Sequence, residues 1–133
     1  TLVQSGKLKL KSSENKQKIT YHDSCYLGRY NHIYDEPRNI ITNIGNFQLE
    51  ETARNKDKGL CCGAGGAQMF LEETQGKRVN IARTEELMTS NPDLIGVNCP
   101  FCNIMISDAL KTMDNETTQV KDIAEMMLEN LNK

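Results

Sequence analysis

The chain predicts an α/β domain with a four-stranded, mainly parallel, Rossmann-like sheet and helices on both faces. Three observations carry that expectation. Short apolar or alternating segments recur between longer helical stretches in the order β-α-β-α-β-α-β-α, which favours parallel strands joined by right-handed crossovers. A length of 133 residues builds one core and not two. Two of the cysteine groups follow segments that read as strands, and open parallel sheets bind ligands beyond the carboxyl ends of their strands.

Residues 1–17 are rich in Lys, Ser, Asn and Gln and suit a linker or the tail of a preceding domain, with a possible helical stub at Thr1–Ser5. Residues 18–133 form the predicted domain. Lys18–His22 reads as the first strand and runs into Asp23-Ser24-Cys25. Gly28–Tyr34 and Pro37–Ile44 read as short helices, Pro37 suiting a first helical turn and Gly45 a helix stop. Phe47–Glu51 alternates apolar and polar, as a second strand does. A charged loop, Arg54–Lys58, leads to Cys61-Cys62. Ala67–Glu73 and Val79–Met88 read as helices, the latter with a partial apolar stripe of Val79, Ala82, Leu87 and Met88 that suits a core. Asn91-Pro92 breaks that helix.

Leu94-Ile95-Gly96-Val97, within Asp93–Asn98, is a buried-type strand. Cys99-Pro100-Phe101-Cys102 opens a helix that runs to about Met113. Gln119–Lys121 is a short fourth strand, and Asp122 caps a last helix ending near Leu131. A 2-1-3-4 strand order sets strands one and three side by side and brings Cys25 and Cys99 together.

Sixteen basic and 18 acidic residues give a net charge of −2, which offers no electrostatic case for nucleic acid. No apolar run is long enough to span a bilayer and no secretory signal is visible. Clustered, reduced cysteines suit the cytoplasm. The chain starts with Thr1, so the sequence reads as a C-terminal piece of a larger protein, with membrane association expected only through segments outside it.

All five cysteines fall in one pattern, C-x35-C-C-x36-C-x-x-C, formed by Cys25, Cys61, Cys62, Cys99 and Cys102. Thiolates converging from several loops make a soft pocket suited to a metal or an iron–sulfur cluster. Adjacent side chains on an extended backbone point to opposite sides, so Cys61 and Cys62 fit a multi-iron cluster more easily than one tetrahedral ion. A zinc site needs four ligands and leaves one cysteine over. Free buried thiols are a further reading, and the odd count argues against a disulfide framework. Cys99 and Cys102, three apart, share a helix face. Glycine has no Cβ, so Gly63, Gly65 and Gly66 let backbone N–H groups approach sulfur or another anion closely. The run is no dinucleotide fingerprint, because it lacks the G-x-G-x-x-G spacing and follows the second strand.

The runs Thr20-Tyr21-His22-Asp23-Ser24-Cys25-Tyr26-Leu27-Gly28-Arg29, Cys61-Cys62-Gly63-Ala64-Gly65-Gly66 and Asn98-Cys99-Pro100-Phe101-Cys102 resemble the cysteine-rich CCG domain. That family includes the cluster-bearing subunit of heterodisulfide reductase, the glycolate oxidase iron–sulfur subunit and heterodisulfide-reductase-like oxidoreductases. The resemblance spans about residues 18–132. It implies that the five cysteines hold a non-cubane [4Fe-4S] cluster, or zinc as some copies do, and that the domain passes electrons between a flavin or ferredoxin-type module and a quinone, thiol or disulfide acceptor. The implied partners are other domains of the same protein and a flavoprotein or ferredoxin-type protein. Members usually carry two such domains, and this chain carries one. A chain handled in air is expected to be empty, partly loaded or zinc-filled. The alternative function is a zinc-stabilised subunit-docking module without a redox role.

Other residues carry weaker signals. His22 suits either a ligand or proton donor beside the site or a hydrogen-bonded strand-end histidine. Arg29 suits either an anion-offsetting charge at the cofactor or an exposed salt bridge. Tyr26 suits either shielding the cluster or donating a hydrogen bond to sulfur, or simple packing against the first helix, and His32 suits that helix's surface. Glu72-Glu73 and Glu85-Glu86 read as solvated faces, and no Ser/His/Asp arrangement is evident.

Overall fold

In a computed structural model, Ser5 and residues 17–44, 47–64 and 78–130 are described. The first strand, β1 (Gln17–Tyr21), is interior to the sheet. It pairs in parallel with β2 (Phe47–Leu49) on one side, Gln17 facing Phe47, and with β3 (Leu94–Val97) on the other, Ile19 facing Leu94. The outer strand β4 (Gln119–Asp122) pairs in parallel with β3, Leu94 facing Gln119. Among the described residues four strands therefore form one parallel sheet in the order β2-β1-β3-β4, which is the 2-1-3-4 order read from the sequence.

Side-chain alternation explains why the sheet is covered on both faces. Ile19, Tyr21 and Leu94 point to one side and pack with Ile41 and Ile44 of α1 (Asp35–Ile44) and with Ile123 and Met126 of α4 (Ile123–Glu129). Ile95 and Val97 point to the other side. They pack with Leu87 of α2 (Val79–Leu87) and with Cys102, Met105, Ile106 and Leu110 of α3 (Pro100–Thr112). Gly96 lies on the first face, where a Cβ would stand 3.3 Å from the Met126 methyl and 3.4 Å from Ile19 Cδ1. The strand is thin there so that α4 can lie close.

The helix boundaries follow local chemistry. Asp35 and Glu36 complement the positive end of α1, and Pro37 takes a first-turn position where its missing N–H costs nothing. Pro100 opens α3 after Cys99, its N-cap residue. Asp122 caps α4 by accepting from the Ala124 N–H at 2.8 Å. Beyond α2 a 3₁₀ turn, Met88–Ser90, ends at Asn91 in the left-handed conformation, at φ 51°.

Several boundaries differ from expectation. Gln17, assigned to the linker, already belongs to β1. Strand β2 stops at Leu49, and the charged loop holds a 3₁₀ turn at Lys56–Lys58. Gly28–Tyr34 is not a helix: Cys25–Asn31 is a set of hydrogen-bonded turns, and α1 starts at Asp35. Two features stop a helix there. His32 sits at φ 54°, and the Asn31 side chain turns back to donate to the Tyr26 carbonyl at 2.6 Å. His32 is exposed, but on this turn and not on a helix. Ser5 lies in an exposed turn. The remainder of the linker and of the Thr1–Ser5 stub, the Gly45 stop, the Ala67–Glu73 helix with Glu72-Glu73, and the end of the last helix at Leu131 lie outside the described residues. Among the described residues no helix is long and apolar enough to cross a membrane.

Candidate metal centre

The parallel sheet places the cysteine turns at one edge. Cys25 follows the carboxyl end of β1, and Cys99 follows that of β3, the adjacent strand. Cys61 and Cys62 reach the same place on the loop after β2. Cys25, Cys61 and Cys62 line one open cavity with His22, Ser24 and Arg29. Cys62 and Cys102 are packed together, and Cys99 lies against them. The five free thiols grade from buried to exposed: Cys62 and Cys102 at the floor, Cys61 and Cys99 half-buried, Cys25 exposed.

Asp23 fixes the turn that carries Cys25. Its two carboxylate oxygens each accept from Arg38 of α1 at 2.7 Å, and Oδ2 also accepts from the Lys56 N–H at 2.7 Å. Arg38 donates further to Glu51 and to the Tyr34 carbonyl, and lies over the Tyr21 ring at 5.1 Å. One buried carboxylate thus binds the Cys25 turn to both the first helix and the loop leading to Cys61. Arg29 adds a second tie, donating to the Gly59 carbonyl at 2.7 Å. That bond is not the exposed salt bridge, and it holds Arg29 among the residues that line the cavity. Tyr26 is exposed and touches Tyr30, with ring centroids 5.8 Å apart, so it does not pack on a helix.

Backbone N–H groups face the sulfurs. The Gly63 N–H donates to Cys61 Sγ at 3.2 Å, and the Ala64 N–H hydrogen-bonds Cys62. Gly63 has φ 92°, and a Cβ there would lie 3.3 Å from the Asn80 nitrogen of α2. Both the backbone conformation and the close approach therefore require glycine. Gly65 and Gly66 lie outside the described residues.

Donors concentrate on Cys62. The Cys102 thiol donates to it, and with help from His22 this lowers the Cys62 thiol to about 4 while raising that of Cys102. Burial raises the Cys25 thiol, and the neighbouring Cys61, Cys62 and Cys99 add to the effect. His22, Cys62 and Cys102 hold ligand atoms within 4.8 Å of one another. Burial lowers the His22 pKa, so its ring is neutral near pH 7. Behind it stands Arg83 of α2, fully buried, which sequence reasoning does not single out. The available signal is a charged residue four positions before Leu87, on the buried side of the helix.

The donor set fits a sulfur-ligated group. Cys25, Cys61 and Cys62 line one cavity and Cys62 packs with Cys102 and Cys99, a glycine without room for a Cβ brings the backbone close to Cys61 and Cys62, and Ser24, whose buried hydroxyl has no partner among the described residues, lines the same cavity.

Comparison with known proteins gives the same direction. The family described as CCG, cysteine-rich domain, matches residues 19–107. The chain is 45% identical over 132 residues to the probable iron-sulfur-binding oxidoreductase FadF of Bacillus subtilis, covering 98% of this chain and 18% of that protein. It is 47% identical over 134 residues to the EtfAB:quinone oxidoreductase of Syntrophomonas wolfei, covering 95% of this chain and 18% of that protein. It is 32% identical over 130 residues to a subunit of the dihydromethanophenazine:CoB–CoM heterodisulfide reductase of Methanosarcina barkeri, covering 98% of this chain and 31% of that protein. The chain thus spans less than a third of the length of these curated relatives. No solved structure gives a significant match.

Proposed function

Because the chain belongs to the cysteine-rich CCG family, we propose that Cys25, Cys61, Cys62, Cys99 and Cys102 together hold an iron–sulfur cluster in a larger oxidoreductase. The observation that supports this reading is that Cys25, Cys61 and Cys62 line one cavity at the carboxyl edge of the parallel sheet while Cys62 packs with Cys102 and Cys99. A [4Fe-4S] centre of the non-cubane type accommodates five thiolates, including an adjacent pair. When bound, such a centre supplies one-electron transfer.

The chain's own residues prepare the site. Cys62 and Cys102 form a buried floor that keeps water from the inner sulfurs, and Cys25 stands at the mouth, toward a redox partner. The Gly63 and Ala64 N–H groups offset negative charge on Cys61 and Cys62. The Arg29 guanidinium, held by the Gly59 carbonyl, adds positive charge at the rim.

Neighbouring domains of the same protein are the proposed electron donor or acceptor, with a flavoprotein or ferredoxin-type module on one side and a quinone, thiol or disulfide on the other. The names of the relatives support those classes. A zinc-holding docking module is the second reading, since His22, Cys62 and Cys102 lie close enough for one ion. That trio leaves Cys25, Cys61 and Cys99 unused.

Anaerobic reconstitution with iron and sulfide separates the two. The expected result is several irons and sulfides per chain and a reversible electron paramagnetic resonance signal that Cys61→Ser or Cys62→Ser abolishes or alters. Uptake of zinc alone under the same conditions, with assembly intact, would favour the docking module.

A further inference from the structure

His22 is within reach of two cysteine sulfurs and could be taken for a ligand. Its other contact decides the matter. The Nε of Arg83 lies 3.0 Å from Nδ1 of His22. A guanidinium has five N–H donors and no acceptor, and it stays protonated in proteins. Nδ1 must therefore present its lone pair to Arg83. A neutral imidazole has one N–H, so that proton stands on Nε2. The ligand atoms of His22 and Cys62 lie within 4.8 Å of each other, and with Nδ1 engaged by Arg83 the group left to face that sulfur is Nε2–H. An Nε2 that carries hydrogen has no lone pair for a metal.

We propose that Arg83 is a positioning residue for the cysteine centre: by donating to Nδ1 it fixes His22 in the Nε2–H form and makes it a hydrogen-bond donor to the Cys62 sulfur, not a metal ligand. Arg83 is itself held in place. Its Nη1 donates to the Arg54 carbonyl at 2.9 Å and lies 3.5 Å from Glu86 of the same helix. Arg83 and His22 are both buried, 0% and 1% exposed, so water does not compete for either bond. The role of this pair in tuning potential rests on the cluster reading above, whereas the tautomer does not. A hydrogen bond to a cluster sulfur stabilises the more negative, reduced state and so raises the reduction potential.

The chain has two histidines, His22 and His32, which makes ¹⁵N-histidine labelling simple to assign. In the reduced, metal-free 133-residue chain, long-range ¹H–¹⁵N correlation is expected to find His22 in the Nε2–H form. The exposed His32 gives the reference pattern of a tautomer mixture. Arg83→Met should return His22 toward that mixture, and Arg83→Lys should keep the Nε2–H form because an ammonium also only donates. In the reconstituted chain, Arg83→Met should shift the cluster to lower potential with iron content unchanged.

Finding His22 in the Nδ1–H form in the unaltered chain would overturn the proposal, and that test does not depend on whether Arg83→Met folds. Loss of iron in His22→Ala, to the extent seen in Cys62→Ser, would also overturn it. If the unaltered chain takes up no cluster, the cluster reading fails while the tautomer result stands on its own.

Discussion

Asp23 illustrates how much depends on single side chains around the cysteines. It satisfies Arg38 with both oxygens and the Lys56 N–H with one of them. Asp23→Ala leaves a buried guanidinium with Glu51, a half-exposed carboxylate, as its remaining acidic partner. Breaking a buried pair from one side costs about 3 kcal/mol at the lower end of the usual range. A urea titration should therefore give a lower midpoint at unchanged slope. Gly63→Ala should cost about 2 kcal/mol, because an alanine at φ 92° is strained and its methyl meets the Asn80 nitrogen. The same titration reads it, and iron uptake should fall with it. The cysteines, Gly63 and the His22-Asp23 run are visible in the sequence because their types and spacing are chemically unusual. Arg83 is not, because a charged residue on an amphipathic helix ordinarily faces water. Only tertiary packing turns this one inward.

At the level of elements, strands and helices with strong local signals are legible. The Leu94–Val97 run is apolar throughout because it is covered on both faces, and Asp122 caps its helix as a carboxylate should. Gly28–Tyr34 reads wrongly as a helix because a few helix-compatible residues do not offset the nucleation of an isolated turn. The Tyr34 ring, 2.6 Å from where a Gly28 Cβ would be, holds this segment as a folded loop. Helix α2 buries Leu87 completely against β3 and α3. Leu87→Ala should destabilise the chain by about 3 kcal/mol through lost burial and the cavity left behind. It should also loosen Arg83, one turn away. Thermal unfolding checks the first effect and the His22 nitrogen spectrum the second.

For the whole molecule, strand order is readable because chain topology is restricted. Alternating elements and parallel crossovers leave few arrangements, and the need to unite two cysteine groups selects one of them. Two separate turns and a helix start supply the sulfurs, so a group bound to all of them ties β1, the loop after β2 and α3 together. A ligand held by the folded chain and not by the unfolded one stabilises the fold by mass action. Anaerobic loading should accordingly raise the melting temperature, and chelation with a reductant present should return it to the metal-free value. A melting temperature indifferent to loading would mean that the five sulfurs are not held at once.

The slope of burial across the five sulfurs also dictates the order in which a thiol reagent dismantles the site. In the metal-free chain, Cys25 is exposed, Cys61 and Cys99 are half-covered, and Cys62 and Cys102 are enclosed. Access governs attack as much as thiolate content does. Brief exposure to iodoacetamide should therefore label Cys25 first. Cys62, although its low pKa favours the thiolate, should react only as fast as the fold opens. Peptide mass mapping over time would read this as a front moving inward from the mouth. Oxygen would be expected to follow the same front, so damage begins at the outermost sulfur while the floor is still intact.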